Sequence, residues 1–234
     1  MIPNLIKISP GLIEIIMYNA KPGLLIGFHG CEARTRDTLL EDPDTIKKSE
    51  KPYDWLGHGM YFWENNADRA IQWAKDKKKR GEIETPAVIG AVLELGHCFD
   101  LTDTRFISMI KAYYSIFAHT YAEKGEELPK NKDLKNDEHK DKILRELDCK
   151  VIEFMHDRII DRVSRDIKAN GYSKYKVFDS ARGVFTEGGA AFTGAGIAEK
   201  THTQICIRNM NCIKGFFLPR KEINFEQTFL AKVA

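Results

Sequence analysis

Short apolar runs toward the two ends of the chain predict β-strands. Residues 24–28 form one such run, which His29 closes, and residues 60–63 form a second run. Residues 87–95 are a longer run with several β-branched side chains, which is typical of a central strand. Further strands are predicted over residues 176–178, 204–208 and 212–218.

The middle of the chain instead repeats its apolar residues every three or four positions, which predicts helices. This pattern covers residues 106–121 and 144–169. A shorter helix with alanines on its buried stripe should begin after Asn65 or Asn66, either of which can cap it. Residues 123–140 are mostly polar and charged, so we expect a surface loop between the two long helices.

Strands at both ends of a helical block favour an α+β fold over a doubly wound parallel sheet. The chain is therefore expected to be a single domain over residues 1–234, with a helical insertion at about residues 105–170. Gly57 and Gly59 form a Gly-x-Gly turn, but a third glycine and an immediately following helix are missing. A Rossmann dinucleotide-binding fold is therefore not expected.

Composition narrows the setting in which the protein works. The net charge of the 234 residues is +2, which is too small a bias to require a nucleic acid as partner. The five cysteines form no Cys-x-x-Cys pair, which favours free thiols in a reducing compartment and argues against a metal site. The chain shows neither a secretory start nor an apolar stretch of about 18 residues, so we expect a cytoplasmic protein without a membrane partner.

Three short segments carry the candidate chemistry. They are GFHG at residues 27–30, GHGMYF at residues 57–62 and TQICI at residues 203–207. In type and order they resemble the NAD site of ADP-ribosyltransferases in the diphtheria-toxin and poly(ADP-ribose) polymerase branch, whose signature is His, Tyr and Glu on three strands. The third position departs from that signature, because Gln204 stands where the polymerases have glutamate.

The resemblance implies a fold, a substrate and three residue roles. The implied fold is two packed, mostly antiparallel sheets around an NAD cleft, with NAD as substrate and no metal. His29 would hydrogen-bond a hydroxyl of the adenosine-side ribose, and the backbone of Gly30 would hold the nicotinamide amide. Tyr61 would pack against the nicotinamide ring, where an aromatic face suits a flat cation.

Gln204 limits the chemistry that the site can perform. The two-residue period of a strand places Gln204 on the face opposite Ile205, so it faces the cleft if the isoleucine faces the core. A neutral amide can bind the ribose hydroxyls but cannot take a proton. Elongation of an ADP-ribose chain is therefore disfavoured, which leaves transfer of a single ADP-ribose or hydrolysis of NAD.

Four further residues are candidates by their position relative to these segments. By resemblance Trp73 would stack on the nicotinamide side, although core packing suits it equally. Arg182 could pair with the diphosphate of NAD, and a surface ion pair is the alternative. Glu187 and Glu199 precede the Gln204 strand and could supply an acceptor-side base, or be solvated loop carboxylates.

Taken together, the resemblance implies a mono-ADP-ribosyltransferase that modifies RNA, DNA or protein in a bacterial cytoplasm. It further implies the toxin of a toxin–antitoxin or anti-phage system, with an antitoxin protein as a partner. One alternative is an NAD glycohydrolase, in which water replaces the acceptor. Another alternative is a catalytically silent module that binds NAD or ADP-ribose, since the glutamate is absent.

Overall fold

The computed structural model describes residues 23–135 and 137–220. The single-domain expectation for residues 1–234 thus extends over two terminal segments outside the described residues. The described chain contains nine strands and four α-helices. In chain order these are β1 (Leu25–Glu32), α1 (Ala33–Glu41), β2 (Met60–Glu64), α2 (Ala67–Lys79), β3 (Pro86–Leu93), β4 (Cys98–Asp100), α3 (Thr104–Lys124), β5 (Asn131–Lys132), β6 (Leu144–Arg145), α4 (Glu146–Asn170), β7 (Ser180–Phe185), β8 (His202–Ile207) and β9 (Ile213–Phe217).

Seven of the strands form one sheet in the order β4-β7-β8-β2-β1-β3-β9. Every neighbouring pair is antiparallel except β4 and β7, so the α+β prediction is confirmed and a doubly wound sheet is excluded. Among the described residues, the expected two packed sheets are not observed as separate sheets. The seven strands form one sheet, because β2 pairs with both β1 and β8 and joins the two halves. The β1–β2 junction consists of only two residue pairs, Gly27 with Glu64 and Phe28 with Trp63.

The long helices connect the parallel strands β4 and β7. Parallel neighbours need a crossover connection, and α3 and α4 supply it. The helices predicted over residues 106–121 and 144–169 are therefore present; α3 extends beyond its predicted range at both ends, and α4 begins two residues later and ends one residue later than expected. Asp103 caps the first helix, and Gly171 ends the second with a φ of 79°.

Strand alternation gives the sheet two buried faces. On one face Phe62, Ile205 and Ile207 are fully buried in a cluster that α1 and β9 help to cover. On the other face Ala181 and Cys206 pack in a second cluster with apolar residues of α3 and α4. Gln204 shares this second face with Cys206, as the two-residue period predicts.

Two local predictions require correction. Residues 176–178 are not a strand, and the strand in this region is β7, which begins at Ser180. The sequence of β7 is mostly small or charged, so its burial depends on neighbours that come from distant parts of the chain. The expected surface loop over residues 123–140 begins with the end of α3 and then leads into the β5–β6 ribbon, which reaches the candidate site.

The five cysteines are all buried and none forms a disulfide. Burial raises the pKa of Cys31 to about 11 and that of Cys149 to about 12, so both thiols keep their protons at neutral pH. Within residues 23–135 and 137–220, no three or more His, Cys, Asp or Glu side chains are grouped so that they could hold a metal ion. No helix of this part of the chain has the length and apolar character needed to cross a membrane.

Candidate active site

A cleft of about 410 Å³ opens beside the short β1–β2 junction. Five of the residues proposed from the sequence line it together, and these are His29, Tyr61, Trp73, Glu187 and Gln204. They come from β1, β2, α2, the loop after β7, and β8, so separate parts of the chain converge on one site. Part of the cleft wall is apolar and comes from strand β6 and the segment between β5 and β6, through Leu134, Ile143 and Leu144.

His29 stands where the pairing of β1 with β2 has ended. Its Nδ1 lies 2.7 Å from the carbonyl oxygen of Tyr61. Because a carbonyl can only accept, Nδ1 carries the proton, and Nε2 of the neutral ring is left as an acceptor. Burial lowers the pKa of His29 to about 4, so the ring is neutral at physiological pH. The residue can therefore accept a hydrogen bond from a ligand hydroxyl.

Tyr61 shapes the turn that precedes it. Its hydroxyl donates to the carbonyl of Gly57 at 2.8 Å and accepts from the backbone nitrogen of Leu56 at 2.9 Å. Gly57 has a φ of 82°, and a side chain there would collide with Glu153 and Arg208, so this turn requires glycine. Burial raises the pKa of Tyr61, which keeps the hydroxyl protonated and able to make both bonds.

Gln204 is oriented by Trp55, a residue that was not among the site candidates from the sequence. The indole Nε1 of Trp55 donates to Oε1 of Gln204 at 2.6 Å. Since an indole nitrogen can only donate, the amide oxygen must face it, and the NH₂ group is left for a ligand. The Trp55 ring packs edge-on against Phe185 with centroids 5.2 Å apart. Gly183 makes room for this ring, because a Cβ at that position would lie 2.7 Å from it.

Glu187 is a buried carboxylate, and its partner is an arginine that sequence reasoning missed. Arg69, in the first turn of α2, forms an ion pair with Glu187, and both side chains are less than a tenth exposed. The Nε and Nη1 atoms of Arg69 and Nε1 of Trp63 are buried without a hydrogen-bond partner among the described residues. Buried donors of this kind normally have partners, so these suit a ligand rich in acceptor oxygens, as NAD is.

Trp73 lies on the cleft side of α2 among cationic side chains. The guanidinium of Arg80 is 5.0 Å from the centre of its ring, and Nζ of Lys77 is 5.9 Å away. The ring centres of Trp73 and Trp63 are 6.1 Å apart. Six lysines and arginines line the cleft against three carboxylates, which favours an anionic ligand such as a dinucleotide diphosphate. The six are Lys47, Lys48, Lys51, Arg69, Lys77 and Arg80.

Arg182 lies on the other side of the sheet. It is opposite Ile205 in the β7–β8 register, and therefore on the face away from Gln204. Its guanidinium pairs with Glu64 at 2.6 Å and with Asp100 at 3.2 Å. The expected contact with the diphosphate of NAD is thus replaced by a structural ion-pair cluster.

Gly30 and Glu199 are likewise not among the residues that line the cleft. Gly30 pairs with Val88 of β3, and a side chain there would overlap the carbonyl of Ala70 on α2. Its glycine identity is thereby explained by close packing of β1 against the helix, while a role of its backbone toward nicotinamide stays a prediction. Glu199 is exposed, and its backbone nitrogen bonds the carbonyl of Gly189.

The site residues missed by sequence reasoning share a property. Trp55 and Arg69 act through contacts with residues more than a hundred positions away, and no local pattern marks such contacts. Comparisons of the chain with protein-family models, curated proteins and solved structures gave no match. The function must therefore be inferred from the residues of the cleft and their contacts.

Proposed function

We propose that this protein is a mono-ADP-ribosyltransferase that cleaves NAD and transfers ADP-ribose to a macromolecule. The observation that carries the proposal is the convergence of His29, Tyr61 and Gln204 on one cleft. These residues come from three strands and span most of the described chain, yet all three line the same cavity. Their order and spacing along the chain are those of the ADP-ribosyltransferase signature. The proposal therefore includes an ADP-ribosyltransferase fold.

The side chains of the cleft match the demands of cleaving a nicotinamide–ribose bond. The reaction develops positive charge on the ribose and needs that sugar to be held rigidly. The neutral His29 ring offers an acceptor for a ribose hydroxyl, and the NH₂ group of Gln204 offers a donor to a ribose oxygen. The ring of Tyr61 offers a flat surface for nicotinamide, and the apolar residues of the β5–β6 segment help to exclude water.

Transfer of a single ADP-ribose follows from the amide at position 204. Extension of an ADP-ribose chain requires a hydroxyl of the bound product to lose a proton, and an amide cannot accept it. Trp55 already occupies the amide oxygen, so Gln204 presents only donors to a ligand. The proposed role of Gln204 is therefore to position the ribose.

The test is incubation with NAD labelled in its adenylate half, together with separated nucleic-acid and protein fractions of a bacterial lysate. Nicotinamide release with label in one fraction is the expected result. Release of free labelled ADP-ribose alone would indicate a glycohydrolase, and NAD binding without release would indicate a silent module. The variant His29→Ala should abolish release, whereas His119→Ala is a matched control because that side chain is 70% exposed on α3.

A further inference from the structure

A second histidine, which belongs to β8, lies in the cleft and has no role in the proposal so far. His202 is two residues before Gln204 and therefore on the same face of the strand, about 7 Å away by strand geometry. Its side chain is only 2% exposed. The ring stacks on Phe185 with centroids 5.7 Å apart and lies 6.2 Å from Trp63 on another side.

The hydrogen bonds of His202 define its tautomer. Nδ1 lies 2.6 Å from the carbonyl oxygen of Lys200, so Nδ1 carries the proton in the neutral ring. Nε2 consequently holds a lone pair, and it is buried without a partner among the described residues. A buried acceptor in a cleft wall without a partner is suited to receive a hydrogen bond from a ligand.

Two charged groups face this imidazole, Arg69 from α2 and Glu187 from the loop after β7. Burial, and then Arg69, lower the pKa of His202, while the Lys200 carbonyl and Glu187 act in the opposite direction. The net shift keeps the ring neutral near pH 7, where it can accept a proton. Oε1 of Glu187 is 3.9 Å from Nδ1, close enough to stabilise the imidazolium that then forms.

We infer that Nε2 of His202 is the general base that removes the proton of the acceptor group, the task that Gln204 cannot perform. This inference rests on the proposed transferase function. A lone pair of the acceptor O–H or N–H group forms the bond to the anomeric carbon, and the carbon–nitrogen bond to nicotinamide breaks. The bond electrons neutralise the pyridinium nitrogen, the acceptor proton moves to Nε2, and the imidazolium later releases it to water.

Glu187 has a different role under this inference. Arg69 already binds its carboxylate, so Glu187 acts through His202 as a positioning residue. This role of His202 also narrows the chemical class of the acceptor. A group that needs a base must carry a hydrogen on the atom that attacks the ribose. Hydroxyls, amides and the amino or imino nitrogens of nucleobases satisfy this condition.

His156 provides a matched control for the buried character of His202. It is 2% exposed, and its Nε2 likewise has no partner among the described residues. Its ring packs edge-on against Phe99 and Phe178, and it is not part of the cleft lining. A variant at this position reports the effect of replacing a buried histidine without touching the site.

The test uses the full chain. It compares wild type and variants by the rate at which ADP-ribose is transferred from labelled NAD to the fraction that becomes labelled, between pH 5 and pH 9. His202→Gln should reduce transfer by about 100-fold or more, the usual contribution of a general base, and should lose the acidic limb of the wild-type profile. Binding of NAD, measured by calorimetry, should stay within about threefold of wild type. Imidazole added to His202→Ala should restore part of the transfer rate, whereas His156→Gln should transfer like wild type.

A second measurement leaves the histidine in place. Glu187→Gln removes the carboxylate that raises the pKa of His202, so the acidic limb should move to lower pH. An unchanged limb in this variant, or wild-type transfer by His202→Gln, would overturn the assignment of His202 alone. Absence of nicotinamide release from the wild-type chain would instead overturn the proposed function, so the two failures are distinguishable.

Discussion

At the scale of single residues, Gln204 depends on a neighbour that the sequence pattern does not reveal. Strand alternation was enough to place Gln204 on the cleft face, and His29 and Tyr61 were placed by their motifs. The bond from Trp55 that orients the amide could not be predicted, because it joins residues 149 positions apart. The outcomes for Arg182 and Glu187 have the same origin, since the β7–β8 register places Arg182 away from the cleft and the distant Arg69 pairs with Glu187.

The first prediction concerns the amide of Gln204. Gln204→Ala removes one or two neutral hydrogen bonds to the ribose, so NAD turnover should fall roughly 10 to 100-fold. It also leaves Nε1 of Trp55 without its acceptor, so the free energy of unfolding should fall by about 1 kcal/mol. Gln204→Glu keeps an acceptor for Trp55 and places an anionic oxygen in the cleft. That variant should transfer to hydroxyl acceptors faster than wild type does, measured with labelled NAD. Full native transfer by Gln204→Ala would contradict the alignment of the third segment.

The second prediction concerns the hydroxyl of Tyr61. Tyr61→Phe leaves the Leu56 amide without its acceptor and removes the hydroxyl donor to the Gly57 carbonyl, which keeps only the thiol of Cys206, so the free energy of unfolding should fall by about 2 kcal/mol. Tyr61→Ala also removes the packed ring and should lower it by about 4 kcal/mol. Urea unfolding provides the measurement, with Tyr114→Phe as a control on an exposed face of α3. Equal stability of Tyr61→Phe and wild type would show that water replaces the hydroxyl without penalty.

At the scale of elements, predictions from local patterns were accurate and those that depend on pairing were not. α3 and α4 follow from helical periodicity, and of the two expected capping candidates Asn66 caps α2. β7 was missed, because Ser180 is buried between β4 and β8 and Ala181 is buried in the cluster that includes α4, and neither residue is strongly apolar. The joining of the strands into one sheet likewise depends on long-range pairing, because β2 pairs with both β1 and β8.

The third prediction uses His156 in the middle of α4. Burial lowers the pKa of this side chain to about 3, whereas the unfolded imidazole titrates near 6.5. Between these values the unfolded chain binds the extra proton, so stability is lost as the pH falls below 6.5. The loss is about 1.4 kcal/mol per pH unit within this window.

The measurement is urea unfolding of wild type and His156→Leu at pH 7 and pH 5. The variant should lose roughly 2 kcal/mol less than wild type on this acidification, because the titrating group is gone. His29 and His202 are unchanged in both proteins, so their contributions cancel in the difference. Identical pH dependence of the two proteins would place the wild-type imidazole in contact with water.

The fourth prediction concerns the link between the β5–β6 ribbon and the loop that carries Glu187. Oδ2 of Asp141 accepts a hydrogen bond from the backbone nitrogen of Gly188 at 2.8 Å. Asp141→Ala breaks the link and should raise the KM for the acceptor by about fivefold, the equivalent of one net hydrogen bond. Asp141→Asn keeps an acceptor oxygen and should resemble wild type. Equal KM values for the acceptor in Asp141→Ala and Asp141→Asn, measured by steady-state kinetics, would contradict the link.

At the scale of the whole molecule, the cleft is assembled from both halves of the sheet. β1 contributes His29 and β8 contributes Gln204, and only two residue pairs join β1 to β2 between them. The site is therefore complete only when β1, β2 and β8 are paired. From the resemblance alone, we propose that the protein is a toxic effector.

The fifth prediction follows from that proposal. Induced expression of the wild-type chain in bacteria should arrest growth, because NAD is consumed or an essential macromolecule is modified. Gln204→Ala should slow this arrest and His29→Ala should abolish it, at equal protein levels checked by immunoblot. Arrest by both variants at the wild-type rate would separate toxicity from the cleft. Genes that restore growth when expressed beside the wild-type chain would identify the antitoxin.

The burial of every cysteine has a practical consequence. All five thiols lie inside the fold, and burial also raises the pKa of Cys212. Maleimide dyes react with exposed thiolates, so the native chain should stay largely unlabelled. A cysteine introduced at Ile197, which is 63% exposed in the loop between Glu187 and β8, would then carry a fluorophore alone. Its emission would report, in real time, how that loop responds when NAD enters the cleft.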